Sequence, residues 1–470
     1  MLKKNPILQL LIFLVSGAVL WLVQPPSGLG VHQWHLFVVF VLTVAALIVN
    51  FLPMSVVMLI SIMTCILTKI ASVEESLSGF SSSVVWLVIM AFFIARAIIK
   101  SNLANRLAYY MIGHMGNSIL GLSYSLVLTE FLLSPAIPSA TARSGGIIFP
   151  IAKSMSDQFC NGNDSKKAEK IREFIMQTCF QSNVICSAMF LTAMAGNPLI
   201  LQIAAKLGVK ITWKLWAIGG IVPGITNLLI MPLFLQKLIK PSTETNSQIV
   251  ILAKKSLVDM GRMGRDEFMV LGVFILLITM WIFGDYLDIN ATTTAIIGFL
   301  LLVISKVITW EDAISEKNAW NTFVWFSLFI TLSNFLSSFG VTEWIGHSVQ
   351  QFFIRLDPLF ALPGCLIVFF YLHYLFASIT VFATVMYSVF FFIVVSLKVN
   401  PFLAAMLLAY LANLSGGLSH YTISSAPIFF TGSKLSIKRW LSIGLLASFL
   451  NLLVWSTVGV TWWYMLGWVK

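Results

Sequence analysis

Hydrophobic positions in this chain fall into long unbroken runs and show neither strict alternation nor a clean amphipathic stripe. Runs near 7–23, 34–52, 54–68, 84–99 and 119–133 open the pattern. After a break it continues through 174–195 and 215–235, and then through 268–283, 291–307 and 322–339. Further runs lie at 359–397, 402–414 and in a last segment ending near position 466. Most approach the roughly 17–25 apolar residues with which a helix crosses a bilayer core. Two polar stretches, 153–172 and 237–266, separate blocks of runs and read as loops. The pattern predicts an all-α polytopic membrane protein of about eleven spans.

Four interruptions depart from simple spanning helices. Pro135 and Pro138 stop the helix that ends near Leu133, and the apolar pattern resumes only from Ala140 to Ile151. That stretch is too short to span, so 119–152 reads as a re-entrant helical hairpin. A second hairpin, 358–397, breaks at Ser378-Ile379-Thr380. The spans 174–208 and 402–432 break at Gly196-Asn197-Pro198 and from Ser415 to Thr422. Each break puts Ser, Thr, Asn or Gly where the backbone leaves the helix, freeing N–H groups and hydroxyls to face a cavity. Half-helix starts of this kind suit carboxylates, because the positive end of the dipole adds to the donors. Proline kinks and interhelical Ser/Thr contacts are the plainer explanation of any one break.

Composition sharpens the class. Of 470 residues, 59% are apolar and 10% charged, which excludes a water-soluble globule, a disordered chain and a coiled coil. The net charge of +11 reflects basic loops held on the inner side and does not point to nucleic acid. Most of the 29 Lys and Arg fall inside when the N-terminus is placed in the cytoplasm, and the C-terminus then falls outside. Lys3 and Lys4 before the first run resemble a signal peptide, but with no small-x-small site ahead of Pro25 residues 1–30 read as a retained extra span. Cys65, Cys160, Cys179, Cys186 and Cys365 form no CxxC pair and act as small apolar residues, so neither disulfide nor zinc is expected.

An internal repeat organises the spans. Val85-Trp86 recurs as Val324-Trp325 and Ser139-Ala140-Thr141 as Ser378-Ile379-Thr380, both 239 positions later. Lys214-x-Trp216-x-x-x-Gly220 with Asn227 recurs as Lys438-x-Trp440-x-x-x-Gly444 with Asn451, 224 positions later. Residues 31–240 and 267–470 therefore read as two copies joined by a cytoplasmic linker, 241–266. An odd number of crossings per copy makes them inverted, which is the mark of secondary transporters whose site lies where the broken elements meet.

Among ionisable residues, Arg143 near the first hairpin tip must face water, an anion or a counter-charge. Glu130 on the preceding arm offers it a structural partner. His420, in the last break, is placed either to donate to a carboxylate or to serve as a structural residue. Arg96 lies toward the inner end of its span and reads as snorkelling.

The segments Ser134-Pro135-Ala136-Ile137-Pro138-Ser139-Ala140-Thr141-Ala142-Arg143-Ser144-Gly145-Gly146 and Leu411-Ala412-Asn413-Leu414-Ser415-Gly416-Gly417-Leu418-Ser419-His420-Tyr421 resemble the divalent anion/sodium symporter (DASS) family over nearly the whole chain. Within it, the likeness is to bacterial citrate/succinate and tartrate/succinate antiporters and plastid 2-oxoglutarate/malate translocators. The resemblance implies a homodimer whose protomers each hold a scaffold and an elevator-like transport domain containing both hairpins and both broken spans. The family's two Ser-Asn-Thr motifs fall on Ser139-Ala140-Thr141 and Ser378-Ile379-Thr380, with the central Asn absent from both. In sodium-coupled members those regions help hold Na⁺. Here Arg143 and His420 are placed to replace the cations as charge partners, which fits an exchanger.

These features together predict exchange of small dicarboxylates without Na⁺, through a substrate site of Ser139, Ala140, Thr141, Arg143, Gly196, Asn197, Pro198, Ser378, Ile379, Thr380, His420 and Thr422. No metal, cofactor or nucleic-acid partner is expected, and the location is a bacterial-type inner membrane. A Na⁺-coupled symporter of the same fold is the alternative. An intramembrane enzyme lacks support, since HExxH, GxSxG and GxGD are all missing. A channel fits poorly with hairpins and inverted repeats.

Overall fold

The computed structural model describes residues 6–49, 51–159, 165–241, 247–345 and 358–469. Cys160, Lys3 and Lys4 lie outside these residues. Among them there is no strand, and the helices follow the apolar runs. The first block comprises α1 (Pro6–Leu22), α2 (Val31–Val49), α3 (Met54–Leu67), the short α4 (Val73–Ser76), α5 (Ser83–Lys100) and α6 (Leu103–Met115). Next come α7 (Ile119–Leu133), α8 (Phe149–Phe159), α9 (Ser165–Met189), α10 (Gly196–Lys206) and α11 (Trp213–Ile239). The middle of the chain supplies α12 (Ser247–Asp259), α13 (Arg265–Leu287), α14 (Ala291–Ile304), α15 (Trp310–Ile314) and α16 (Lys317–Ser338). Last are α17 (Pro358–Leu372), α18 (Ile379–Ser396), α19 (Pro401–Leu414), α20 (Ala426–Ser433), α21 (Ile437–Val454) and α22 (Val460–Met465). Six described helices are long and apolar enough to cross a membrane, among them Val31–Val49, Ser83–Lys100 and Trp213–Ile239, and several shorter apolar helices accompany them. The protein is an all-α polytopic membrane protein.

The breaks fall where proline and glycine put them. α7 ends before Pro135, and the chain re-enters a helix at Ala140 through a π-helical turn, Thr141–Ile148, that runs on into α8. The returning arm thus reaches Phe159, well past Ile151. Both polar stretches differ from the loops expected. Much of 153–172 is helical, in the end of α8 and the start of α9, and the linker holds α12. The reason for α12 is an apolar face, Ile249, Val250 and Ala253, which is buried with α6 packed against the helix.

Two groups of helices surround the breaks. In one, α2 and α3 pack on α16, and α14 packs on α5. The lead-in to α5 comes so close to α16 that a side chain on Gly79 would collide with the Ser327 carbonyl, and the Gly79 N–H donates to Thr331 Oγ1 at 3.0 Å. In the other group α9 is central, packed by α7, α8, α11, α19 and α20. Residues related by the internal repeat meet here. Asn227 Nδ2 donates to Asn451 Oδ1 at 2.8 Å, both side chains fully buried. Gly220 and Gly444 let α11 and α21 approach the two broken spans, facing Met189 O in one case and the Leu418 and Gly417 carbonyls in the other.

Candidate functional site

The breaks converge on one cavity of about 740 Å³, within the size range of small-molecule sites. Both hairpin tips line it, from Pro138 to Ala142 with Gly145 and Gly146 on one, and from Ala377 to Thr380 on the other. Met194 to Gly196 and Ile423, Ser424 and Ile428 of the broken spans complete that side. The facing wall is Asn318, Asn321, Thr322 and Trp325 of α16, with Leu47, Met54 and Phe92. No charged side chain lines the cavity among the described residues.

Its polar groups come from helix starts. Ser139 Oγ accepts from the Ala142 N–H at 3.1 Å, a capping turn at the head of the π segment. Ser378 precedes α18 but makes no capping bond, so its hydroxyl and the first-turn N–H groups stay free for the cavity. Thr141 Oγ1 donates to Ser424 Oγ at 2.6 Å, closing one corner. An anion here meets two helix starts and several hydroxyls in a site without a fixed cation.

Of the residues expected at the site, Ser139, Ala140, Thr141, Gly196, Ser378, Ile379 and Thr380 line this cavity. Arg143, Asn197, Pro198, His420 and Thr422 do not, and the geometry gives the reason for four of them. Arg143 is fully buried behind the tip. Its Nε donates to Glu130 Oε1 at 2.6 Å, Nη1 to the Ile137 and Ala193 carbonyls at 2.6 and 2.7 Å, and Nη2 to Ser187 Oγ at 3.1 Å. Glu130 Oε1 also accepts from Asn183 Nδ2 at 2.7 Å, and Asn183 Oδ1 accepts from Ser425 at 2.8 Å. The pair thus ties the first hairpin to both broken spans and leaves the guanidinium no free edge toward substrate. Asn197 and Thr422 serve the breaks themselves. Asn197 Nδ2 donates to the Ser187 and Phe190 carbonyls, orphaned where α9 ends, and its Oδ1 accepts from Asn413 at 2.7 Å. Thr422 Oγ1 donates to the Gly416 carbonyl at 2.7 Å. His420 packs its ring on Phe430 at 4.8 Å. Ser424 and the α16 wall were missed. Positions 318, 321, 322 and 325 share one helical face, a spacing visible in the sequence beside the repeated Val324-Trp325.

An α-helical fold whose broken spans meet at an internal cavity is the architecture of a membrane transporter's site. The profile of the family described as "Sodium:sulfate symporter transmembrane region" matches residues 4–469, and the chain belongs to this divalent anion/sodium symporter (DASS) family. It is 41% identical over 459 residues, 97% of this chain and 96% of the other, to "Putative malate transporter YflS" of Bacillus subtilis (strain 168). It is 38% identical over 462 residues, 97% and 83% of the two chains, to "Dicarboxylate transporter 1, chloroplastic" of Arabidopsis thaliana. It is 31% identical to "Inner membrane protein YbhI" of Escherichia coli (strain K12), over 99% of each. Among solved structures, the Alcanivorax borkumensis YdaH transporter superposes with a TM-score of 0.54 at 13% identity, covering 84% of this chain and 88% of that one, a likeness of fold.

Proposed function

We propose that the chain exchanges dicarboxylates such as 2-oxoglutarate, malate and succinate without Na⁺, by elevator-type alternating access. It works as a homodimer in a bacterial-type cytoplasmic membrane, with the N-terminus inside and the C-terminus outside. The substrate class is suggested by the malate and dicarboxylate transporters among its relatives. Ser139, Thr141, Ser378 and Thr380, with the first-turn N–H groups, hold the carboxylates.

The observation that carries Na⁺ independence is the environment of Ile379. Its side chain, 1% exposed, fills the gap beside the backbones of Gly196 and Gly416, where a Cβ added to either glycine would lie 3.3 and 2.8 Å from it. An apolar plug thus stands where the family motif has an amide, and Ala140, also buried, fills the matching position in the first hairpin. Sodium needs oxygen ligands, and neither side chain offers one. Exchange suits such a site, because the body carrying a dianion in either direction never has to cross empty.

The test is cation replacement. Uptake of labelled succinate into malate-loaded proteoliposomes should proceed at the same rate with choline as with Na⁺ outside. A requirement for Na⁺ would favour the symporter of the same fold.

A further inference from the structure

Among the described residues the α16 wall, with Leu47, Met54 and Phe92, is the side of the cavity that belongs to no hairpin or broken span, and it is built to present a donor. Ser55 Oγ lies 2.6 Å from Asn321 Oδ1 and 3.1 Å from the Asn321 carbonyl. The shorter distance suits O–H···O and is too short for an amide N–H donor, so Oδ1 faces Ser55 and both Nδ2 protons are left for the cavity.

The internal repeat gives α16 a counterpart at the head of α5, where the Trp86 ring packs on Phe323 of α16 at 5.4 Å. Shifted by 239 positions, Asn321, Thr322 and Trp325 fall on Ser82, Ser83 and Trp86 at the head of α5. The surrounding elements correspond in place, though not residue for residue. Ser55 at the start of α3 holds the start of α16, and Thr292 at the start of α14 donates to the Ser83 carbonyl at 2.8 Å at the start of α5. The two walls differ in cover. Ser82 Oγ donates to Gln202 Oε1 of α10 at 3.3 Å, so the second half of that broken span lies across the α5 wall. The repeat sets α20 against α10, and in this state α20 leaves the α16 wall open, with Ile428 lining the cavity between them.

The geometry points to a pair of alternately uncovered selectivity walls, resting on the reading of the chain as a dicarboxylate exchanger. Asn321, oriented by Ser55, receives a substrate carboxylate when the cavity opens at the face where α3 and α16 begin. Ser82 receives it when α10 withdraws and the cavity opens at the other face. Each wall is a specificity element for one side of the membrane, while the hairpin tips travel with the substrate.

The test uses the full-length protein in unidirectionally oriented proteoliposomes, with the half-saturation concentration for malate and succinate measured separately at each face. Asn321→Ala should raise it about tenfold at the α16 face, the loss of one hydrogen bond to a charged group, with little change at the other. Ser55→Ala should produce a smaller rise at the same face only, since it frees the amide to rotate. Ser82→Ala should act at the opposite face. Equal effects at both faces, or none, would overturn the assignment even if all variants exchange normally. A wild-type protein that exchanges no dicarboxylate at either face would overturn the functional reading beneath it.

Discussion

Arg143 and Glu130, thirteen residues apart on the two arms of one hairpin, form an ion pair with side-chain exposures of 0% and 1%. Breaking such a buried pair leaves one uncompensated charge, at a cost of about 3–5 kcal/mol. Arg143→Gln should therefore lower thermal stability markedly in detergent. Arg143→Gln with Glu130→Gln should recover most of that stability and retain exchange, since the guanidinium does not reach the cavity. A stable double variant with no exchange would show that Arg143 acts on substrate.

The hydroxyls at the two tips differ in how committed they are. Ser139 is held by the Ala142 N–H and Thr141 by Ser424, whereas Ser378 makes no capping bond. Ser378→Ala should leave the fold intact and raise the half-saturation concentration about ten- to a hundredfold, the range for one hydrogen bond to an anion. Ser139→Ala should also cost stability, about 1 kcal/mol for the lost cap. Ligand-dependent melting temperatures separate the two effects.

The repeat-related glycines predict a graded series. A methyl at Gly444 would meet the Leu418 carbonyl at 2.6 Å and the Gly417 carbonyl at 2.9 Å, both backbone atoms fixed in the break. At Gly220 the nearest atom is Met189 O at 3.0 Å, and at Gly272 nothing lies within 4 Å. Alanine should therefore harm stability and exchange most at 444, less at 220 and hardly at all at 272, as read by melting temperature and initial rate.

Outside the spans, Asp312 accepts from Lys100 and caps α15 through the Thr309 N–H, and these bonds hold its carboxyl below the usual aspartate range. A carboxyl depressed in the folded state stabilises above its unfolded value and loses that stability as pH falls through the folded one. The contribution should be complete at neutral pH and fade below about pH 4, and Asp312→Asn should remove about 0.5–1 kcal/mol at pH 7 and much less in acid. An Asp312→Asn protein as stable as the parent at pH 7 would contradict this.

How much was legible in the sequence follows from what each signal encodes. Proline and glycine act locally, so Pro135, Pro138 and Gly196 marked the breaks, and the Ser139 and Ser378 motifs marked the tips. Side-chain direction is not local. Arg143, Asn197 and Thr422 stand beside the right breaks but turn inward, because the carbonyls released there, and Glu130, need donors more than a ligand does. The α16 wall escaped notice because Asn318 and Asn321 reach the cavity from a helix far along the chain from the first tip, a proximity that only the packing of α16 on α3 and α5 creates.

The central claim is exchange, and trans-substrate dependence tests it most directly. Purified protein is reconstituted into two sets of liposomes, one loaded with unlabelled malate and one with buffer, and uptake of labelled succinate is followed in Na⁺-free medium. Rapid uptake into the loaded vesicles and near-background uptake into the empty ones is the predicted result. Equal accumulation in both, or accumulation in empty vesicles once a Na⁺ gradient is imposed, would contradict it.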